Sequence, residues 1–268
     1  MFAVARARKE IRILDRLLEE LDDNLRPSQV HALRTGSRRV ASVLAIVRRG
    51  DDTARKDLER NLEKLRRRAG AVRDLDVMLE SLQALPAAEY LRPLKKFERS
   101  LEHGRQRMAR KLASLLKKRR KDLRTGLTSL AATLDGGHPS DVQKQWRQQA
   151  EDRAERYRQR LLQTRLRRQT LHQFRINVRH LRDVLEGSSG NTTEVARLTA
   201  LKDALGAWHD WSLLAEWAQK HNQLAQQSIV RQIVHNETMK RSAAMHAARI
   251  FQRDLRGRQP AARGDSTG

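Results

Sequence analysis

Two short elements combine residue types suited to holding an oxyanion. Val30-His31-Ala32-Leu33-Arg34 runs on to Arg38, and Leu171-His172-Gln173-Phe174-Arg175 runs on to Arg179, so His-x-x-Arg-x-x-x-Arg occurs twice. Arginine offers a planar fork that grips phosphate or carboxylate oxygens in pairs, and lysine adds a mobile point charge. A histidine facing a polyanion has its charged form favoured, so binding is expected to tighten as pH falls through the neutral range. The alternative for each histidine is a neutral ring bonded to a backbone carbonyl.

A second pair of elements follows in the same order. Ala69-Gly70-Ala71-Val72-Arg73-Asp74-Leu75 is matched by Leu205-Gly206-Ala207-Trp208-His209-Asp210-Trp211. The glycines read as the end of one helix and the tight start of another, with each aspartate near the new helix start. His209-Asp210 also suggests a metal-dependent phosphohydrolase, in which both residues would hold a divalent ion. Its counterpart is Arg73-Asp74, and arginine cannot ligate a metal, so an aspartate paired with a neighbouring base is the favoured role. The chain contains no His-Glu-x-x-His, no Gly-x-x-x-x-Gly-Lys and no Gly-x-Ser-x-Gly. Neither catalysis, a metal nor a cofactor is expected.

These residues need helices to position them. Leu, Ala, Arg, Gln and Glu recur at helical spacing and period-two strand patterns are lacking, so the expected class is all-α. At about 100° per residue His31, Arg34 and Arg38 share one narrow arc, opposite Leu33, Val40, Val43, Leu44 and Val47. The duplicate places Arg165, Arg168, His172, Arg175, Arg179 and Arg182 on one side of Leu171, Phe174, Val178, Leu181 and Leu185. Two further stripes extend the pattern: Arg99, His103, Arg107, Arg110, Lys117 and Lys121, then Arg231, His235, His246, Arg249, Arg253 and Arg256. Like charges stacked at i, i+3 and i+4 mildly destabilise a helix, which an anion lying along them would offset. Arg39, Arg73 and Lys202 join the candidate contacts. Trp146, Trp208, Trp211 and Trp217 could stack on nucleic-acid bases, but aromatics are only 4% of the chain, so core packing is favoured.

Punctuation at Arg26-Pro27-Ser28, Gly50-Asp51-Asp52, Leu85-Pro86, Gly136-Gly137 and Gly187 to Gly190 separates the helices. Gly136-Gly137 divides the chain into two similar halves, 1–135 and 139–258, with a tail at 259–268 expected to be disordered. Lys and Arg total 56 against 32 Asp and Glu, a formal charge of +24, so the partner must be acidic: nucleic acid, an anionic surface or a phosphate polymer. The absence of cysteine excludes disulfides and thiolate sites. No run approaches the roughly 20 apolar residues that cross a bilayer. The opening Met1 to Arg12 lacks the apolar core of a signal peptide. A soluble, cytoplasmic protein with no membrane partner is expected.

Through the paired His-x-x-Arg-x-x-x-Arg and Gly-x-x-(Arg/His)-Asp elements, the chain from about residue 3 to 256 resembles the CHAD family, the conserved histidine α-helical domain. The resemblance implies two antiparallel four-helix bundles related by an internal pseudo-twofold repeat. It also implies a basic groove or channel that binds inorganic polyphosphate and can target the protein to polyphosphate granules. His31, Arg34, Arg38, His172, Arg175 and Arg179 take the family's ligand-facing role, and Arg73 and His209 its inter-helix positions. His180 and Asp183 depart from the family pattern, which has a basic and an aromatic residue there, and Asp183 is expected to weaken the local field. General, nonspecific nucleic-acid binding is the alternative, with a metal-dependent phosphohydrolase behind it.

Overall fold

In the computed structural model, residues 2–22, 24–46, 52–135, 139–189, 192–221 and 227–257 are described, and among them every regular element is a helix. In chain order they are α1 (Phe2–Glu20), α2 (Pro27–Ile46), α3 (Asp52–Gln83), α4 (Ala87–Asp135), α5 (Pro139–Gln163), α6 (Arg168–Ser189), α7 (Thr193–Lys220) and α8 (Gln227–Gly257). The expected breaks at Pro27, Pro86 and Gly187 fall between helices or at their ends, and Gly190 lies outside the described residues. Gly50-Asp51, the Gly136-Gly137 boundary, Val47 and the tail 259–268 lie outside the described residues.

The helices that carry the basic motifs start by the same local device. Pro27 opens α2, where its missing N–H costs nothing, and the Gln29 side chain accepts the Arg26 N–H at 2.9 Å. At α6 the Thr170 hydroxyl accepts the Arg167 N–H at 2.9 Å. Gln29 and Thr170 each stand two residues before the motif histidine, so one cap position sets the phase of each basic face.

Packing follows the sequence pattern. In the first four helices α1 meets α2, α2 meets α3, α3 meets α4 and α4 returns to α1; α5 to α8 close the same ring of neighbours. Leu33, Val40, Val43 and Leu44 are buried in the first core, and Leu171, Phe174, Val178 and Leu181 in the second. Each such side chain contributes about 1.5–3 kcal/mol on burial, which presses the opposite, basic face of its helix outward. The close approach of α3 and α4 uses Gly126, where an added Cβ would lie 3.0 Å from the Leu58 side chain.

Gly70 and Gly206 do not break helices. α3 runs through Gly70 and Asp74, and α7 through Gly206 and Asp210. One glycine costs a helix only about 1 kcal/mol, and the buried neighbours Ala69, Val72, Leu205 and Trp208 supply more than that. The aspartates therefore sit mid-helix, not at helix starts.

The two halves interlock. Trp146 of α5 is buried in the core of α1 to α4. A third core lies at the far ends of the long helices: Met78, Leu82 and Leu85 from the α3 end, Phe97 and Leu101 of α4, Leu214 and Ala218 of α7, and Ile229 and Ile233 of α8. Phe97 meets Trp217 edge-on with ring centroids 5.3 Å apart. Trp208 is buried and its Nε1 donates to Glu237 at 3.1 Å. The tryptophans thus pack in or against the cores, as the scarcity of aromatics suggested.

Candidate anion-binding cleft

Where α2 and α3 face α6 and α7, the helices leave a cleft of about 400 Å³. α2 contributes His31, Arg34 and Arg38, α3 contributes Arg73 and Asp74, and α6 contributes Arg175 and Arg179. From α7 come Lys202, Asp203, His209 and Asp210, with Gly206 and Ala207 in the wall. An added Cβ at Gly206 would meet nothing within 4 Å, so this glycine keeps part of the wall recessed.

Charge in the cleft is poorly balanced. Six permanent cations (Arg34, Arg38, Arg73, Arg175, Arg179 and Lys202) line it with three carboxylates. Three of the cations are engaged: Arg73 with Glu80 at 2.7 Å, Lys202 with Asp203 at 2.5 Å, and Arg38 with Asp183 at 3.0 Å. Among the described residues Arg34, Arg175 and Arg179 form no ion pair. Arg179 is the extreme case. Its Nε is buried without a hydrogen-bond partner. Burial, then the charges of Arg38, Arg175 and Arg34, push its guanidinium down to about 10, with Asp183 offsetting part of the shift. Burial also lowers Arg175 and Arg38, each partly restored by an aspartate, Asp210 and Asp183 respectively.

The histidines respond to the same field. Burial lowers His31 and His172, and the nearby guanidinium groups lower them further. His209, whose ring centroid is 5.1 Å from that of His172, is pushed down to about 3 by burial, Arg175 and His172. In the ligand-free protein these rings are therefore neutral around pH 7, and any gain in charge has to come with an incoming anion. Asp74 and Asp210 are raised by burial, against the pull of neighbouring arginines.

The cleft gathers His31, Arg34, Arg38, Arg73, Arg175, Arg179 and Lys202 from the sequence-derived set, and His172 adjoins it through His209. The rest fall elsewhere. Arg99, His103, Arg107, Arg110 and Lys117 are exposed on α4, outside the cleft lining, and His103 Nδ1 lies 2.7 Å from the Arg99 carbonyl of its own helix. Arg165, Arg168 and Arg249 are also exposed and outside the lining. Arg182 is held by Thr199, Asp183 and Glu186, and Arg39 by Glu10. Four stripes therefore do not merge into one cleft, because a helical wheel orders residues around their own axis and is silent about which helices are neighbours. Sequence reasoning missed Asp203 and the cleft-facing position of Asp74 and Asp210; the repeat, which sets the two aspartates at equivalent sites, carried that signal. Among the described residues no three His, Asp or Glu side chains come together as a metal-ligand set.

The sequence matches the family model of the CHAD domain over residues 5–219. The chain belongs to the CHAD-domain family. The match ends before α8, so the last helix, with Arg231 to Arg256, lies beyond the matched stretch. A crystal structure of the CHAD domain from the plant Ricinus communis is similar, with a TM-score of 0.58 at 20% identity, covering 96% of this chain and 88% of that one. At that identity the likeness speaks for the fold, α8 included. No curated protein sequence matches this CHAD protein. Among the described residues no helix is long and apolar enough to cross a membrane.

Proposed function

We propose that this CHAD domain binds inorganic polyphosphate in the cleft between α2, α3, α6 and α7, as a binding module and not as an enzyme. The observation that carries the reading is Arg179, a half-buried arginine whose buried Nε has no hydrogen-bond partner and whose three arginine neighbours are only partly offset by Asp183. A desolvated cation so weakly countered is costly, and an oxyanion is the group that would relieve it. Polyphosphate supplies oxyanions at every unit, so one chain can engage arginines from both halves together. Among the described residues no Phe, Tyr or Trp lines the cleft, which leaves it without the stacking platform that single-stranded nucleic acids use. Association with polyphosphate granules in the cytoplasm follows as an expectation of the same reading.

The test is a titration with long-chain polyphosphate at near-physiological salt, followed by competition with double-stranded DNA, single-stranded RNA and short oligophosphates at matched phosphate concentration. Selective competition by long polyphosphate is the expected result. Equal competition by nucleic acids would establish a nonselective cationic surface in its place. Release of phosphate with a divalent metal would reinstate the phosphohydrolase alternative.

A further inference from the structure

A second, separate cavity of about 240 Å³ lies between α1, α2, α5 and α6, with Arg66 of α3 at its edge, and the polyphosphate reading makes no use of it. Its walls are of two kinds. Ala41, Val43, Ala45, Trp146, Tyr157 and Val184 present apolar surface. Against them stand five guanidinium groups, those of Arg6, Arg38, Arg39, Arg66 and Arg153, and only three carboxylates.

Each carboxylate already has its own arginine. Glu10 pairs with Arg39 at 3.2 Å, Asp183 with Arg38 at 3.0 Å and Glu186 with Arg6 at 2.8 Å. Arg153 is fixed in place, donating to the Ala45 carbonyl at 2.7 Å. Arg66 is exposed and forms no ion pair among the described residues. The cavity thus holds a surplus of positive charge beside apolar walls.

Tyr157 and His180 stack on each other in this wall, with ring centroids 5.3 Å apart and planes inclined by only 14°, and the Arg160 guanidinium lies over the Tyr157 ring 5.6 Å from its centroid. His180 is pushed down to about 4 by burial and by Arg179, so its ring is uncharged at neutral pH. An apolar platform facing guanidinium groups suits a ligand that is itself divided into an apolar and an anionic end. Polyphosphate has no apolar part and would leave these walls unmatched. The volume is below the roughly 300–1,000 Å³ of most ligand pockets, so the occupant must be small.

We propose that this cavity is a second ligand site, for a small amphipathic anion: a flat aromatic group carrying one phosphate or carboxylate, its ring against the apolar wall of Ala41, Val184 and Trp146 and its charge toward Arg66. The site shares only Arg38 with the polyphosphate cleft, and there the guanidinium is tied to Asp183. It therefore stands or falls independently of the polyphosphate reading.

Isothermal titration with 1-naphthyl phosphate, inorganic phosphate and 1-naphthol tests it on the full chain. Saturable one-to-one binding of 1-naphthyl phosphate is expected, with the other two probes far weaker. Ala41→Trp, which fills the cavity, abolishes binding, and Arg66→Gln weakens it about tenfold, the loss of one charge-assisted hydrogen bond. Arg66 is exposed, so its variant answers the question even where Ala41→Trp fails to fold. Arg34→Glu, in the other cleft, leaves 1-naphthyl phosphate binding unchanged. The proposal is overturned by no saturable binding, by equal binding of inorganic phosphate, by indifference to both cavity variants, or by loss in Arg34→Glu. Absence of polyphosphate binding with the naphthyl site intact would sink the cleft reading alone.

Discussion

Replacing Arg179 by methionine should make the ligand-free protein more stable and the polyphosphate complex weaker. The guanidinium is held at about 10, more than two tenfold steps below the usual arginine range, by burial and by Arg38, Arg175 and Arg34, with Asp183 offsetting part of the shift. At about 1.4 kcal/mol for each tenfold change in proton affinity, retaining the charge at neutral pH costs about 3 kcal/mol. Solvent screening in the cleft reduces this to about 2 kcal/mol. The sign follows from the direction of the shift: a base lowered on folding is penalised at every pH below its folded value and relieved only as pH rises through about 10. Methionine keeps the aliphatic packing and removes the penalty, so urea unfolding at pH 7.5 and low salt should show a gain of about 1–2 kcal/mol. The melting temperature should rise by about 2–8 °C at roughly 2–4 °C per kcal/mol. Added salt should shrink the difference, because the repulsion is screened. The same variant should lose at least about tenfold in polyphosphate affinity, the worth of one charge-assisted contact. A destabilised Arg179→Met protein would mean that the charge is already compensated, and undiminished binding would mean that the ligand lies elsewhere.

Three other outcomes are expected. Arg34→Glu combined with Arg175→Glu should leave the helicity intact and nearly abolish polyphosphate binding. With six cations in the cleft, the wild-type affinity should fall with salt with a logarithmic slope of about −4, taking the single-strand value of about 0.7 per phosphate, and the double variant should lose at least about 1.4 of it. His209 is held at about 3, below its unfolded 6.5, so the unfolded chain takes up the proton first. Stability is complete above pH 6.5 and falls as pH drops toward 3, with about 2 kcal/mol lost by pH 5; a His209→Gln protein showing the same loss between pH 7.5 and pH 5 would refute this. Finally, Gly206→Ala should add about 0.5–1 kcal/mol in thermal unfolding, since the methyl meets nothing within 4 Å and helix propensity improves.

How much could be read from the sequence depended on whether the information lay within one helix or between helices. The phase of α2 and α6 is local. Apolar Leu33, Val40 and Phe174 fix which side is buried, and His31, Arg34, Arg38, Arg175 and Arg179 must then lie opposite. Duplication told which two faces to bring together. The exposed stripe from Arg99 to Lys117 obeys the same periodicity and yet lines no cleft, since periodicity assigns a side but not a neighbour. Gly70 and Gly206 misled for a related reason. A glycine is a helix stop only where packing on both sides does not continue, and here Val72, Leu205 and Trp208 carry the helices through. The third core joins residues from Met78 to Ile233 that no local pattern links. The pH dependence also needs revision in its window: His31 and His172 are lowered in the free protein, so tighter binding is expected mainly as pH falls below 6.5.

The ion pair between Arg38 and Asp183 has a consequence for why two copies share one chain. In the register of the repeat, Arg38 answers to Arg179 and Asp183 to Ser42, whose hydroxyl merely returns to the Arg38 carbonyl at 3.1 Å. A homodimer of identical subunits would have to carry the aspartate twice or not at all. Twice would neutralise both central arginines and silence the cleft; not at all would leave two buried, repelling charges to be borne by a fold of ordinary marginal stability. A single chain with two unlike halves escapes that constraint. One arginine is quieted by a carboxylate from the other copy, and its twin is left as the unsatisfied charge, an asymmetry that only covalently joined, separately mutable copies can hold.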